Sequence, residues 1–172
     1  MTPGATFEAD IGARLGKRFT PFAFYERAFL GAGSRFAGDS NASGYTELYG
    51  MGLRFAAGPV DTAAFLTEIS IGERVVGVQA NGQTYRMSGF EYFKLGLGAE
   101  IRLSSMLTIS PLASLSTGTM TNTSGAVKFS AAGSAQDGVT QPPYENGQQI
   151  QDQRGYVMVS VTCGAHFDLL GK

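Results

Sequence analysis

Between Phe93 and Leu103 apolar side chains occupy every second position. Phe93, Leu95, Leu97, Ala99, Ile101 and Leu103 share one parity, and Lys94, Gly96, Gly98, Glu100 and Arg102 share the other. A period of two sends these sets to opposite faces of an extended strand, whereas a helix repeats its faces about every 3.6 residues. The same rule separates Phe7, Ala9, Ile11, Ala13 and Leu15 from Glu8, Asp10, Gly12 and Arg14. It separates Tyr49, Met51, Leu53 and Phe55 from Gly50, Gly52 and Arg54, and Phe65, Thr67, Ile69 and Ile71 from Glu68, Ser70, Gly72 and Arg74. Near the C-terminus Leu107, Ile109, Pro111, Ala113 and Leu115 oppose Thr108, Ser110, Ser114 and Ser116. Finally Val157, Val159, Val161, Cys163, Ala165, Phe167 and Leu169 oppose Met158, Ser160, Thr162, Gly164, His166 and Asp168.

The stretch from Thr20 to Leu30 is apolar enough for a further strand, but Glu26 and Arg27 are adjacent, so either register puts a charge on the apolar face. Pro111 removes a ladder donor and is expected to mark a bulge or an edge. These segments give seven strands and one domain over residues 1–172, an all-β fold. Glycine at 24 residues, against 6 prolines and 19 Phe plus Tyr, fits that class.

The strands are long. A membrane-crossing strand needs roughly 9 to 11 residues, and no apolar run here reaches the ~18 that a crossing helix needs. A barrel is therefore the remaining way for this chain to span a bilayer. The connections support that reading, with short links near 16–19, 57–62 and 104–106 alternating with long polar ones near 31–44, 76–88 and 117–154. Short turns at one end and long loops at the other are the usual asymmetry of a transmembrane β-barrel. The last loop is expected to extend the hairpin around Ala126 to Phe129. Single-chain bacterial barrels have an even number of strands. The first strand found leads into a short turn, so an upward strand is expected before it, giving seven strands of an expected eight and two unpaired edges without it. Met1-Thr2-Pro3-Gly4 shows no secretory leader, so either a leader lies upstream or the protein is not exported.

The alternating segments, the two classes of connection, and the Gly96–Leu103 run followed closely by Leu107 to Ser116 resemble small eight-stranded bacterial outer-membrane proteins of the OmpA-like and OmpW-like type. The resemblance is one of pattern over nearly the whole chain. It implies an antiparallel up-and-down transmembrane barrel in the outer membrane, with a last strand ending in an aromatic residue, here Phe167. This chain departs from the pattern by continuing through Asp168 to Lys172.

If the apolar faces point to lipid, the opposite faces bring Glu8, Asp10, Arg14, Arg54, Glu68, Arg74, Lys94, Glu100, Arg102, His166 and Asp168 into the lumen. Side chains suffice to fill an eight-stranded barrel, so opposed charges are expected to pair into a plug rather than to line a proton or solute path. His166 and Ser160 share a face, and some barrels that resemble this one are lipid-modifying hydrolases using His and Ser. Six positions along a strand separate residues by about 20 Å, too far for a nucleophile and its base. No catalytic residue is assigned.

Gly96-Leu97-Gly98 precedes no helix and no Lys-Ser/Thr pair, so a phosphate loop is excluded. Asp61 and Glu145 lack calcium-loop spacing, and a single Cys163 forms neither an internal disulfide nor a ligand pair. No metal or cofactor is expected. A net charge of −1, from 13 basic and 14 acidic residues, leaves no basic footprint for nucleic acid.

Two functional classes remain. One is an outer-membrane barrel with a plugged lumen and a structural or loop-mediated interaction role, its partners being lipid and an external ligand at the long loops. The other is a soluble lipocalin-like carrier, which would turn its apolar face inward. Sparse Lys and Glu on the non-apolar face and aromatics near strand ends (Phe7, Tyr45, Tyr92, Phe93, Phe167) favour the first, and a narrow channel is a lesser third reading.

Overall fold

The structure is a computed structural model and describes residues 4–16, 18–31, 41–57, 63–80, 83–125 and 154–168. Seven strands form a closed barrel in chain order. They are β1 (Thr6–Gly12), β2 (Phe19–Gly31), β3 (Ser43–Ala57), β4 (Ala64–Ala80), β5 (Gln83–Arg102), β6 (Leu107–Gly125) and β7 (Arg154–Asp168). Neighbours in sequence pair antiparallel. The ring closes through a parallel pairing of β1 with β7, from Phe7↔Cys163 to Gly12↔Asp168. The two edges expected to be left open are thus joined to each other over this stretch, and the ring closes on seven strands.

The alternation of each strand becomes the two surfaces of the wall. Outward residues are apolar and exposed, among them Phe19, Leu53, Ile69, Leu97, Ile101, Leu115 and Val159, while inward residues are buried. The unassigned strand β2 resolves with Phe22, Phe24 and Glu26 buried inside and Tyr25, Arg27 and Phe29 outside. Arg27 is tolerated there because it lies at the long-connection end of the strand. It pairs with Glu47 at 3.3 Å and stacks over the rings of Phe29 and Tyr45.

Several strands are longer than the alternation indicated. The polar residues expected to loop at 76–88 instead continue β4 to Ala80 and start β5 at Gln83, and β6 runs through the expected loop start as far as Gly125. Polar outward residues do not end a strand whose backbone hydrogen bonds still go to a neighbour. Most of 31–44, the centre of 57–62, and the expected hairpin extension at Ala126 to Phe129 lie outside the described residues, as do Asp61 and Glu145. The short link after β1 turns at Gly16, whose φ of 69° is left-handed, and Leu15 bridges Phe19 across it. Ser104 caps the link after β5, its Oγ accepting from the Leu107 amide at 3.0 Å.

Pro111 produces neither of the expected features. It sits within β6 opposite Cys163, and the β5–β6 register passes from Gly98↔Leu112 to Ile101↔Ile109 without the two pairs between. The missing donor opens a short gap in one ladder without shifting register. Register shifts occur elsewhere, between Ser70 and Gly72 and at Ser88/Gly89 and Glu91/Phe93.

Two apolar clusters lie inside the ring: Ala56, Ala64, Leu66 and Leu112, and Phe22, Phe24 and Leu48. Leu66 is fully buried, whereas Leu97 is 47% exposed on the outer wall. Leu66→Ala is expected to lower unfolding stability by about 2–5 kcal/mol through the cavity it leaves. Leu97→Ala should cost clearly less, as read by denaturant titration of the two variants side by side.

Candidate functional site

Most of the interior charged groups form one connected network whose members come from six strands. Arg54 on β3 is its lower centre. Its Nη1 and Nη2 donate to Asp10 Oδ1 and Oδ2 of β1 at 3.1 and 2.9 Å, a bidentate fork. Nη2 also reaches Glu68 Oε2 of β4 at 3.0 Å and lies 3.7 Å from Glu8 Oε1. Lys94 on β5 donates to Glu8 Oε2 at 2.6 Å and to Glu26 Oε2 of β2 at 2.7 Å. Arg74 on β4 continues upward, with Nε on Glu91 Oε2 at 2.5 Å and Nη1 3.4 Å from Glu26 Oε1. Tyr156 of β7 donates to Glu91 Oε2 at 3.0 Å. His166 Nδ1, also on β7, hydrogen-bonds Asp10 Oδ1. Nearer the short-turn end Arg14 pairs with Glu100 at 2.5 Å.

Room for these long side chains comes from glycines and from two rings. A methyl group at Gly96 would lie 2.6 Å from Cγ of Glu68, and one at Gly52 would lie 2.7 Å from the Phe22 ring. Phe22 therefore folds over Gly52, and its face carries the Arg54 guanidinium at 4.5 Å, while Lys94 Nζ sits 5.1 Å from the Phe24 ring. Aromatic faces attract these cations where water is excluded.

The network contains the carboxylates Glu8, Asp10, Glu26, Glu68 and Glu91 against the basic side chains Arg54, Arg74 and Lys94. Carboxylates outnumber basic groups, and Glu8 Oε1, Glu68 Oε1 and Glu91 Oε1 have no hydrogen-bond partner among the described residues. β6 adds no charge to the interior. It presents Thr108, Ser110, Ser114 and Ser116, all buried, and Ser114 hydrogen-bonds Ser160 of β7 at 2.7 Å. Ser160 and His166 thus have separate partners, and neither is placed as a nucleophile with its base.

The structure brings the expected interior residues Glu8, Asp10, Arg14, Arg54, Glu68, Arg74, Lys94, Glu100 and His166 into the buried interior. Arg102 lies at the end of β5 opposite the buried Thr108, is itself half-buried, and donates to the backbone carbonyls of Ser104 and Ser105 in the link to β6. The side chain of Asp168 lies outside the described residues. Sequence reasoning missed Glu26, Glu91 and Tyr156. Glu26 was hidden by the ambiguous register of β2. Glu91 and Lys94 both point inward despite an odd spacing, because the register shift between Glu91 and Phe93 reverses the parity. Among the described residues no cluster of His, Cys, Asp or Glu is arranged to hold a metal ion.

No protein-family profile, curated protein or solved structure matches this chain.

Arg54 is fully buried and joins three carboxylates, so Arg54→Met leaves Asp10 and Glu68 without their cation. A stability loss of about 3–5 kcal/mol is expected, against under ~1 kcal/mol for the half-buried surface Arg27→Ala, measured as shifts in denaturation midpoint.

Proposed function

We propose that this chain is a transmembrane β-barrel of the bacterial outer membrane, with a side-chain-plugged lumen and a structural role or an interaction role carried by its long connections. One observation carries the reading: the distribution of polarity is inverted. Arg54, Arg74, Lys94, Glu68 and Glu91 are at most 1% exposed, while Phe7, Met51, Leu53, Phe65 and Val161 are 49–77% exposed. In water such an outer wall would leave a very large apolar surface unburied. In a bilayer the same wall is solvated, and the closed ladder satisfies the backbone where no water can. The rings add to this. Phe29 and Phe90 stand outward toward the long-connection end, with Tyr25, Tyr49 and Tyr92 nearer mid-strand, and Phe19, Phe65 and Phe167 stand toward the short-turn end, in keeping with interfacial girdles.

The soluble-carrier reading fares worse on the same observation, since a lipocalin-like barrel encloses its ligand in an apolar interior and this interior is ionic. A narrow channel is disfavoured by the way Arg54, Lys94 and Arg74 are each tied across the ring to facing strands.

Refolding into detergent micelles or liposomes tests the reading. A heat-modifiable gel mobility is expected, with no ion conductance in proteoliposomes. Ile69→Arg, on the outer wall midway between the two groups of rings, should cost about 2–4 kcal/mol of folding stability in the bilayer. A monodisperse soluble monomer in detergent-free buffer would overturn the proposal.

A further inference from the structure

The outer wall of β3 to β6 changes character at the level of Glu73. From there toward the short-turn end the outward side chains are apolar, as at Met51, Leu53, Ile69, Ile71 and Leu97. Toward the long-connection end they are mostly polar. The register sets them side by side in three rows. Tyr49 lies beside Glu73, then Glu47 in line with Val75, Ser88 and Asn122, then Arg86 beside Ser124.

These rows enclose a recess of about 260 Å³ on the outside of the barrel. Val75 forms its floor. It has outward parity yet is only 1% exposed, so its longer neighbours close around it. Tyr49 bounds one side and Arg86, half-exposed, bounds another. Between them Val75 and Ser88 are short, which leaves the depression. A register shift at Ser88/Gly89 adds the local bend that such irregularities bring.

The lining restricts the ligand. A volume near 260 Å³ falls below the roughly 300–1,000 Å³ of pockets for drug-sized molecules and suits one small ring. Arg86 supplies guanidinium donors, Glu73 accepts, and Asn122, Ser88 and Ser124 do both. Val75 and the Tyr49 ring are the apolar surfaces. An anion is a poor match, because Glu73 repels what Arg86 attracts and Arg86 also lies 3.6 Å from Glu47. A metal ion is a poor match too, since Glu73 is the one carboxylate among the lining residues and hard cations gather several oxygen ligands. A sugar ring meets both halves of the lining, with hydroxyls that donate and accept at its edge and C–H groups on its face.

We propose that this recess is a sugar-binding site for a single pyranose ring, its C–H face on Val75 and Tyr49 and its hydroxyls on Glu73, Arg86 and Asn122. The recess stands where the apolar wall gives way to the polar one, beside the outward Phe90 that pairs with Glu73. In a bilayer that border is the headgroup level, so the ring of a glycolipid headgroup reaches it from the side, whereas a free saccharide reaches it from water. The recess exists in either medium. Only the glycolipid source rests on the membrane reading.

The chain, folded in zwitterionic detergent micelles, is titrated with the methyl glycosides of glucose, galactose and glucosamine while amide NMR shifts are followed. Saturable shifts confined to Val75, Ser88, Asn122 and their neighbours are expected for at least one glycoside, with a Kd of about 1 mM for so small a ligand. Asn122→Ala should weaken that binding about threefold to tenfold through a lost hydrogen bond. Ser88→Phe, which fills the recess, should abolish it while heat-modifiable mobility is kept. If Ser88→Phe does not fold, Asn122→Ala decides. In nanodiscs, the same shifts appearing with glucosyl diacylglycerol assign the ring to a lipid headgroup, and their appearance with free glycoside alone assigns it to a soluble saccharide. No saturable response to any glycoside or to the glycolipid, or a response unaltered in the variants, would overturn the site. A response to inorganic phosphate in place of the sugars would overturn the sugar and assign an anion. If the chain proves a soluble monomer the membrane reading fails, and the same titration in buffer still decides the recess.

Discussion

The bidentate contact of Arg54 with Asp10, extended to Glu68, is the interaction on which the rest of the interior depends. It joins β1, β3 and β4 across the ring, and each of its partners leads to another cation or to His166. A guanidinium suits this place because its planar fork keeps its charge and meets two carboxylates at once. Removed from water, each of these charges is costly alone. Together they enforce specificity, since a one-residue slip of any strand would turn its charge outward and its apolar side chains inward. The register of the wall and the composition of the interior are therefore the same constraint seen from two sides.

The glycines and rings of β2 and β3 make that constraint possible. With glycine at 50 and 52, β3 leaves space beside Arg54 that Phe22 and Phe24 fill from β2, and the rings in turn form a floor for two cations. On the other side, β6 and much of β7 carry hydroxyls and Gly164. The interior is thus asymmetric, crowded with charge along β1 to β5 and lined by small polar groups along β6.

Much of this was legible in the alternation. Period two assigns faces correctly for the parts of β1, β3, β4, β6 and β7 that it identifies, so the sequence alone places Asp10, Arg54, Glu68, Arg74 and His166 inside. Three kinds of information were not legible. Adjacent Glu26 and Arg27 give no parity, and what separates them is the presence of Glu47 and Tyr45 on a neighbouring strand. Glu91 was lost to a register shift, which is a property of two strands together. The extents of β4, β5 and β6 were underestimated because polar outward residues look like loop while their backbones remain paired. Closure was also invisible, since parity rules for complete barrels do not describe how the first and last strands of this ring meet.

The Asp10–His166 contact spans 156 positions of sequence, and it lies on the strand pair that closes the ring. Every other strand pairing is a hairpin between neighbours and can form as the chain lengthens. This one waits until the last strand exists. Because loop-closure entropy must be met before such a distant contact rewards it, ring closure is the natural late and slow step of folding. Until then Asp10 lacks its histidine and Glu91 its tyrosine. A truncated chain is therefore not a smaller barrel but an open sheet of charged and apolar faces, and the final strand makes its assembly all-or-none.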